Sequence, residues 1–417
     1  MNHLRRNFIT RAIGVAAFGL SIGGIVHAQQ SAAPLKVGLM TVKSGPAAAL
    51  GQQMEDGLRM FLRERNNTLA GRAIELIVAD TTANPAVAKT KFQELVERNR
   101  VQVIVGPAAT FEALALGDDI RQAGIPVIFT SAGEDLTQRK ASPLTVRVSA
   151  SSAQATHVLG TYAAKTLGYK RVAVVGEDLA FSHELAGGFQ RTFEEAGGKV
   201  VQRLWSPFNT TDFATFIAKI NPNVDAILLS YSGAGAIRFL KQYREFNPKG
   251  GKPLLSGSNT TDESVLATAG DEAIGVISAN WYSPEIQTPE NRRFVTNYRA
   301  EFKAVPGIFG TGAYVAGQLL EAALKTTNGN AEDHVALAKA LYSATLAETP
   351  RGPLKLDAQG NPIGTISIRK TERIDGKSVN HVIATFPGIS QFYTYDPAQF
   401  LASPAYSRDY PPARYLE

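Results

Sequence analysis

The chain has 417 residues, of which 44% are hydrophobic, with a formal charge of +6 and no cysteine. That length exceeds one ordinary domain and suits two, with enough apolar content for sizeable cores. Absence of cysteine excludes disulfides, thiolate metal sites and a cysteine nucleophile, and basic residues interspersed with acids leave no nucleic-acid footprint.

At the start, Arg5 and Arg6 precede an uncharged stretch from Ala12 to Val26 that ends in Val26, His27 and Ala28. A basic region, a short apolar run and a small-x-small end predict a secretory signal peptide over 1–28. Arg5 and Arg6 leave both the Sec and the twin-arginine route open. The run is too short and glycine-rich for a comfortable membrane span. Arg5, Arg6 and Arg11 belong to this leader, so the mature chain, starting near Gln29, is only mildly basic.

From there strands and helices alternate. Strands are expected at 35–41, 74–79, 101–105 and 125–129, with helices at 47–66, 85–98 and 110–122. Asn84 is a plausible N-cap with Pro85 in the first helical position. A second series follows: helices at 151–167, 181–196, 212–220 and 236–246, strands at 171–175, 200–204, 225–229 and 253–256. Several strands are continuous apolar runs, as in a parallel sheet covered on both faces. Each series reads as a doubly wound α/β lobe. Beyond Gly275 the pattern loosens into helices at 290–303, 312–326 and 331–342 and short strands at 354–356 and 365–368. The last stretch, 392–417, is rich in aromatics and proline and is expected to wrap a lobe surface.

Catalytic chemistry finds no complete set of residues. His183 and Glu184 begin like a zinc-protease motif, but Gly187 stands where the second histidine belongs. Gly233 and Gly235 suit a dinucleotide loop, yet Arg238 occupies the third glycine position, so a tight turn is the better reading. The acid pairs Glu134–Asp135, Glu177–Asp178 and Asp262–Glu263 follow strands, where carboxylates cap helix N-termini. No enzyme, metal or cofactor is expected. What remains is five strand-to-helix loops of small and polar residues, at 44–46, 106–110, 130–133, 231–233 and 256–260. In open α/β sheets such loops sit at the carboxyl ends of strands, where ligands bind.

These loops resemble those of the type I periplasmic solute-binding proteins of the leucine/isoleucine/valine-binding kind. The resemblance rests on Lys36 to Leu39, Ser44 to Pro46 with Gly51, Asp80 with Asn84 to Ala88, Val105 to Pro107, and Gly124 to Val127. It continues through Gly168 to Val175, Thr211 to Phe213, Ser283–Pro284, Pro289 to Asn291, and Pro350 to Pro353 with Asp357. It implies two Rossmann-like lobes joined by a three-segment hinge, with 29–150 and 280–353 in the N-terminal lobe. The C-terminal lobe would hold 151–279 and 354–390, with 391–417 as a tail. It also implies a monomeric periplasmic receptor that takes a small molecule to an inner-membrane ABC permease.

By the resemblance, a ligand carboxylate would meet Thr110 and the loop Ser131, Ala132, Gly133. Phe181, Tyr231 and Ser232 would face it from the second lobe. Phe111, Trp281 and Tyr282 stand nearby as further aromatic walls. The family's amino-acid binders place an acid near the position of Ser258. Here Ser258 is flanked by Gly257 and Asn259, which leaves a ligand ammonium without a partner. A non-amino organic acid, aromatic or otherwise hydrophobic, is therefore expected. Branched-chain amino acids, an extracytoplasmic ligand sensor and an exported hydrolase stand as alternatives.

Overall fold

A computed structural model describes residues 33–417; the expected signal peptide over 1–28 lies outside the described residues. The described chain enters on β1 (Leu35–Thr41). It then forms α1 (Ala48–Arg63), which buries Leu50, Met54, Leu58 and Phe61 at helical spacing. β2 (Thr68–Leu69) turns back antiparallel onto β3 (Arg72–Asp80), and β3 pairs β1 in parallel. α2 (Pro85–Gln93) starts at the Asn84 cap, whose Oδ1 accepts from the Ala86 amide at 2.9 Å. β4 (Val103–Val105), α3 (Thr110–Ala115), α4 (Gly117–Ala123), β5 (Val127–Phe129) and β6 (Thr145–Arg147) complete the first lobe's sheet. Its order is β2-β3-β1-β4-β5-β6.

The second lobe begins with α5 (Ser152–Lys165), β7 (Arg171–Glu177), α6 (Ala180–Glu195) and β8 (Lys199–Ser206). It continues through α7 (Ala214–Ala218), β9 (Ala226–Ser230), α8 (Gly233–Phe246), β10 (Leu254–Ser256), α9 (Glu263–Ala269) and β11 (Ile277–Asn280). Val172 to Val175 and Ile227 to Leu229 are fully buried, which is why they read as unbroken apolar runs. The chain then returns to the first lobe as α10 (Pro289–Phe302), α11 (Ile308–Thr326) and α12 (His334–Ser343). α11 packs on α1, with Phe61 and Tyr314 edge-on at 5.3 Å. β12 (Thr345–Leu346), β13 (Leu354–Leu356), β14 (Pro362–Ile374) and β15 (Lys377–Ile389) extend the second sheet. That nine-stranded sheet runs β12-β13-β14-β11-β10-β9-β7-β8, with β15 on β14. The chain thus passes between the lobes at 148–151, at 281–288 and through 344–353, a last crossover that takes in the short edge strand β12, although 280–353 were expected in the first lobe.

Three expectations need correction. The helix expected at 85–98 loosens after Gln93 into a π-helical turn that ends at Arg100 in the left-handed region, φ 56°. The helix expected at 110–122 breaks between α3 and α4. The short strand expected at 365–368 is one arm of a hairpin of two 13-residue strands. Asp375 (φ 49°) and Gly376 (φ 73°) make its two-residue turn.

The aromatic tail covers the second lobe through α13 (Pro397–Ala402) and the residues around it. His157 on α5 is fully buried there: Tyr393 stacks on its ring at 5.7 Å and Tyr406 Oη meets its Nε2 at 2.8 Å. Burial first, then Arg191, holds its pKa down to about 3, so the imidazole is neutral. Arg139 of the first lobe donates to the carbonyls of Phe400 and Ser403 and so fastens the tail. Among the described residues no helix is long and apolar enough to cross a membrane.

Candidate functional site

A cavity lies where the two sheets' strand-to-helix loops face each other. The first lobe contributes Ala47 from the β1 loop, Ala108 to Phe111 from the β4 loop, and Thr130 and Ala132 from the β5 loop. The second contributes Leu179, Phe181, Phe208, Ser232, Ser258 and Asn259. Ser149 and Trp281 come from crossovers, and Ile308 and Phe309 from the start of α11. The wall holds five aromatic side chains and no acidic or basic one.

Of the expected site residues, Thr110, Phe111, Ala132, Phe181, Ser232, Ser258, Asn259 and Trp281 meet at this cavity. Ser131 and Gly133 stand just behind it. The Ser131 hydroxyl is buried with no partner among the described residues, and its carbonyl accepts from Arg147 at 3.2 Å. Gly133 makes room for Thr110, because a Cβ there would stand 2.9 Å from the threonine methyl. Tyr231 and Tyr282 do not reach the cavity. Tyr231 is fully buried, stacked on Phe239 at 4.6 Å, with its hydroxyl 3.3 Å from Ser206 Oγ. Tyr282 is likewise buried and donates to Asn291 Oδ1 at 3.1 Å. An aromatic residue just past a strand still alternates between cavity and core, and these two turn to the core.

Phe208 and Phe309 escaped the sequence reading. Phe208 sits just past β8, which runs to Ser206 and not to Leu204 as expected. Phe309 lies in the first turn of α11, which starts at Ile308 and not at Gly312. Phe208 meets Phe111 across the cleft edge-on, with ring centroids 6.3 Å apart.

The lobes touch around this cavity in a closed arrangement. The Ala234 amide of α8 donates to the Pro46 carbonyl of the first lobe at 3.3 Å. Asp262 caps α9 through Ser264, and its other oxygen accepts from the Ile308 amide at the start of α11, 2.9 Å away. Glu184 of α6 accepts from the Glu134 amide at 3.2 Å and from Ser152 Oγ at 2.7 Å. Glu134 in turn accepts from the Ala153 amide at the start of α5. Burial first, then Glu134 nearby, raises the Glu184 carboxyl above its usual range. The three acid pairs noted in the sequence thus each place a carboxylate against a helix start, at α5, α8 and α9. Among the described residues no cluster of His, Asp and Glu is arranged to hold a metal ion.

The carboxylate at α8 is Glu177, which accepts from Ser232 Oγ at 3.0 Å while its second oxygen has no partner among the described residues. Burial pushes its pKa up to about 7, against 4.5 unperturbed, and the hydrogen bonds from Ser232 only partly oppose this. The folded chain then keeps a proton that the unfolded chain has released, so stability falls as pH rises from 4.5 toward 7. Glu177→Gln removes this loss, and the variant gains about 2 kcal/mol on wild type between about pH 5 and about pH 8. Urea unfolding of both proteins at the two pH values measures it. Parallel pH dependences would show that Glu177 does not titrate in this range.

A sequence profile described as periplasmic binding protein matches residues 34–370. Among solved structures, the chain is 32% identical to a solute-binding protein of an ABC transporter from Rhodopseudomonas palustris BisB5 in complex with 3,4-dihydroxybenzoic acid. The match has a TM-score of 0.82 and covers 86% of this chain and 98% of that one. A solute-binding protein from R. palustris in complex with benzoate is 30% identical, with a TM-score of 0.80 and coverage of 86% and 98%. A Leu/Ile/Val-binding protein homolog of Brucella melitensis is 28% identical over 382 residues, 89% of this chain and 96% of that protein.

Proposed function

The chain belongs to the periplasmic binding protein family, as a solute-binding protein of an ABC transporter, and from that premise we propose that its cleft captures an aromatic carboxylate. Members of this family are exported proteins that bind small molecules and work with a permease; they are not enzymes.

The observation that carries the ligand class is the cavity wall, with five aromatic side chains and no acid. An α-amino acid would bring an ammonium group into that enclosure, where an unpaired charge is strongly disfavoured. Asp262, the first acid after β10, is buried and already shared between α9 and α11. A benzoate-like acid needs no such partner. Phe111, Phe181, Phe208 and Trp281 offer its ring an aromatic wall. Its carboxylate has the Thr110 hydroxyl at hand on the cavity wall, beside the amides that open α3. Ser232, Ser258 and Asn259 stand on the second lobe for ring hydroxyls. The solved relatives that hold benzoate and 3,4-dihydroxybenzoic acid support the same class. Ligand that touches both lobes favours the closed form, and the permease of the inner membrane reads that form.

A thermal-shift and calorimetric screen tests this directly. Benzoate, 4-hydroxybenzoate and 3,4-dihydroxybenzoate are expected to raise the melting midpoint. At a hundred times its dissociation constant a ligand adds about 2.7 kcal/mol of stability. Thr110→Ala is expected to weaken the best of them by roughly 1–3 kcal/mol. A shift with leucine, isoleucine or valine and none with the aromatic acids would overturn the assignment.

A further inference from the structure

The ligand class above requires a negative charge in a cavity whose wall carries no positive one. Arg351 lies immediately behind that wall. It sits in the third crossover, and its guanidinium stacks on the face of Trp281, the second-crossover residue that lines the cavity, 4.3 Å from the ring centroid. One terminal nitrogen donates to the Val148 carbonyl of the first crossover. The other has no partner among the described residues. Gly364 on β14 leaves room for that nitrogen, since a Cβ there would stand 3.1 Å from it.

Three features separate Arg351 from an ordinary structural arginine. It is 5% exposed, so water does little to screen its charge. It pairs with no acid among the described residues; the other deeply buried guanidinium groups, on Arg147 and Arg369, each have a carboxylate in their surroundings. Burial alone lowers its pKa, to about 9, so it remains a cation at neutral pH. A buried charge without a counterion is unfavourable, and with little water to screen it, its field reaches past the indole to an anion in the cavity that Trp281 lines.

Resting on the aromatic-carboxylate reading, we propose that Arg351 is a specificity-determining residue that selects anionic over neutral ligands. It acts as the missing counter-charge from behind Trp281, without touching the ligand. No described residue gives this guanidinium a counterion, and a ligand carboxylate supplies one. Selectivity for the anion is then built into the hinge and not into the lining, which explains how an uncharged wall suits a charged solute.

The test compares benzoate with benzamide, its neutral isostere, by calorimetry on the full-length mature protein. Wild type is expected to favour benzoate. Arg351→Met is expected to lose about tenfold or more for benzoate and less than about twofold for benzamide. Arg351→Gln, a neutral polar replacement, carries the same comparison should the methionine variant unfold. Arg351→Lys is expected to keep most of the preference, because it retains the charge and loses the stacking fork. Equal loss for both ligands in the neutral variants would mean that Arg351 only packs the crossovers, and would overturn the proposal. Undiminished benzoate binding in them would do the same. Wild type that binds no aromatic acid at all would instead refute the ligand class on which the proposal rests.

Discussion

Replacing Asp262 with alanine is expected to raise the dissociation constant for an aromatic acid about ten- to a hundredfold. In the closed arrangement its carboxylate, on the second lobe, accepts from the Ile308 amide at the head of α11. That helix packs on α1 and moves with the first lobe. The bond therefore exists only when the lobes meet, and a hydrogen bond to a charged group contributes about 1.5–3 kcal/mol. Gly307 allows the approach, since a Cβ there would stand 2.4 Å from the Asp262 oxygen. The Ser264 bonds to the same carboxylate lie within the second lobe and persist on opening, so their loss costs about 1 kcal/mol of stability, in the manner of an N-cap. Calorimetry reads the affinity, and small-angle scattering reads the population of closed molecules at saturating ligand. Wild-type affinity in the alanine variant would remove Asp262 from the closure contacts.

Gly233→Val is expected to act from the other side of the cleft with a comparable effect. Gly233 opens α8 at φ 48°, a region that side chains with a branched Cβ rarely enter. A Cβ at this position would also lie 2.7 Å from the Pro46 carbonyl oxygen, the acceptor for Ala234 across the cleft. The strain falls on open and closed forms alike and costs about 1–3 kcal/mol of stability. The clash with Pro46 falls on the closed form alone and weakens capture by a further factor of about ten or more. A lowered melting midpoint with unchanged affinity would show that the lobes need not approach at Pro46.

The alternating strands and helices were legible because buried parallel strands leave an unmistakable mark, as in Val172 to Val175. The two-lobed arrangement followed from the repeat of that pattern. Less legible were elements whose signal is spread thin. β15 has a mostly solvated face and few consecutive apolar residues, so the two-residue Asp375–Gly376 turn is the main mark its hairpin leaves in the sequence. The head of α11 hid behind Gly307 and Gly310, which read as loop but serve close packing; a Cβ on Gly310 would stand 3.2 Å from the Tyr298 ring. At the site, spacing identified the loops and not the direction of each side chain. Thr110 and Phe181 face the cavity, whereas Tyr231 and Tyr282, equally aromatic and polar on paper, turn inward. Arg351 lies within the Pro350 to Pro353 segment that carries the family resemblance. Its isolation from acids depends on what three separate crossovers bring beside it.

The threefold passage of the chain between lobes also decides how the molecule can be taken apart. Tyr314 donates to Glu64 across 250 residues of sequence, and Gln154 bonds to Ile389 across 235. Each lobe is thus closed by chain made long after its sheet was begun. No single cut yields two fragments that each own a complete core, so neither half is a natural folding unit. A split reporter built on this scaffold would have to reassemble both lobes at once, and its signal would report refolding of the whole and not the simple meeting of two finished parts.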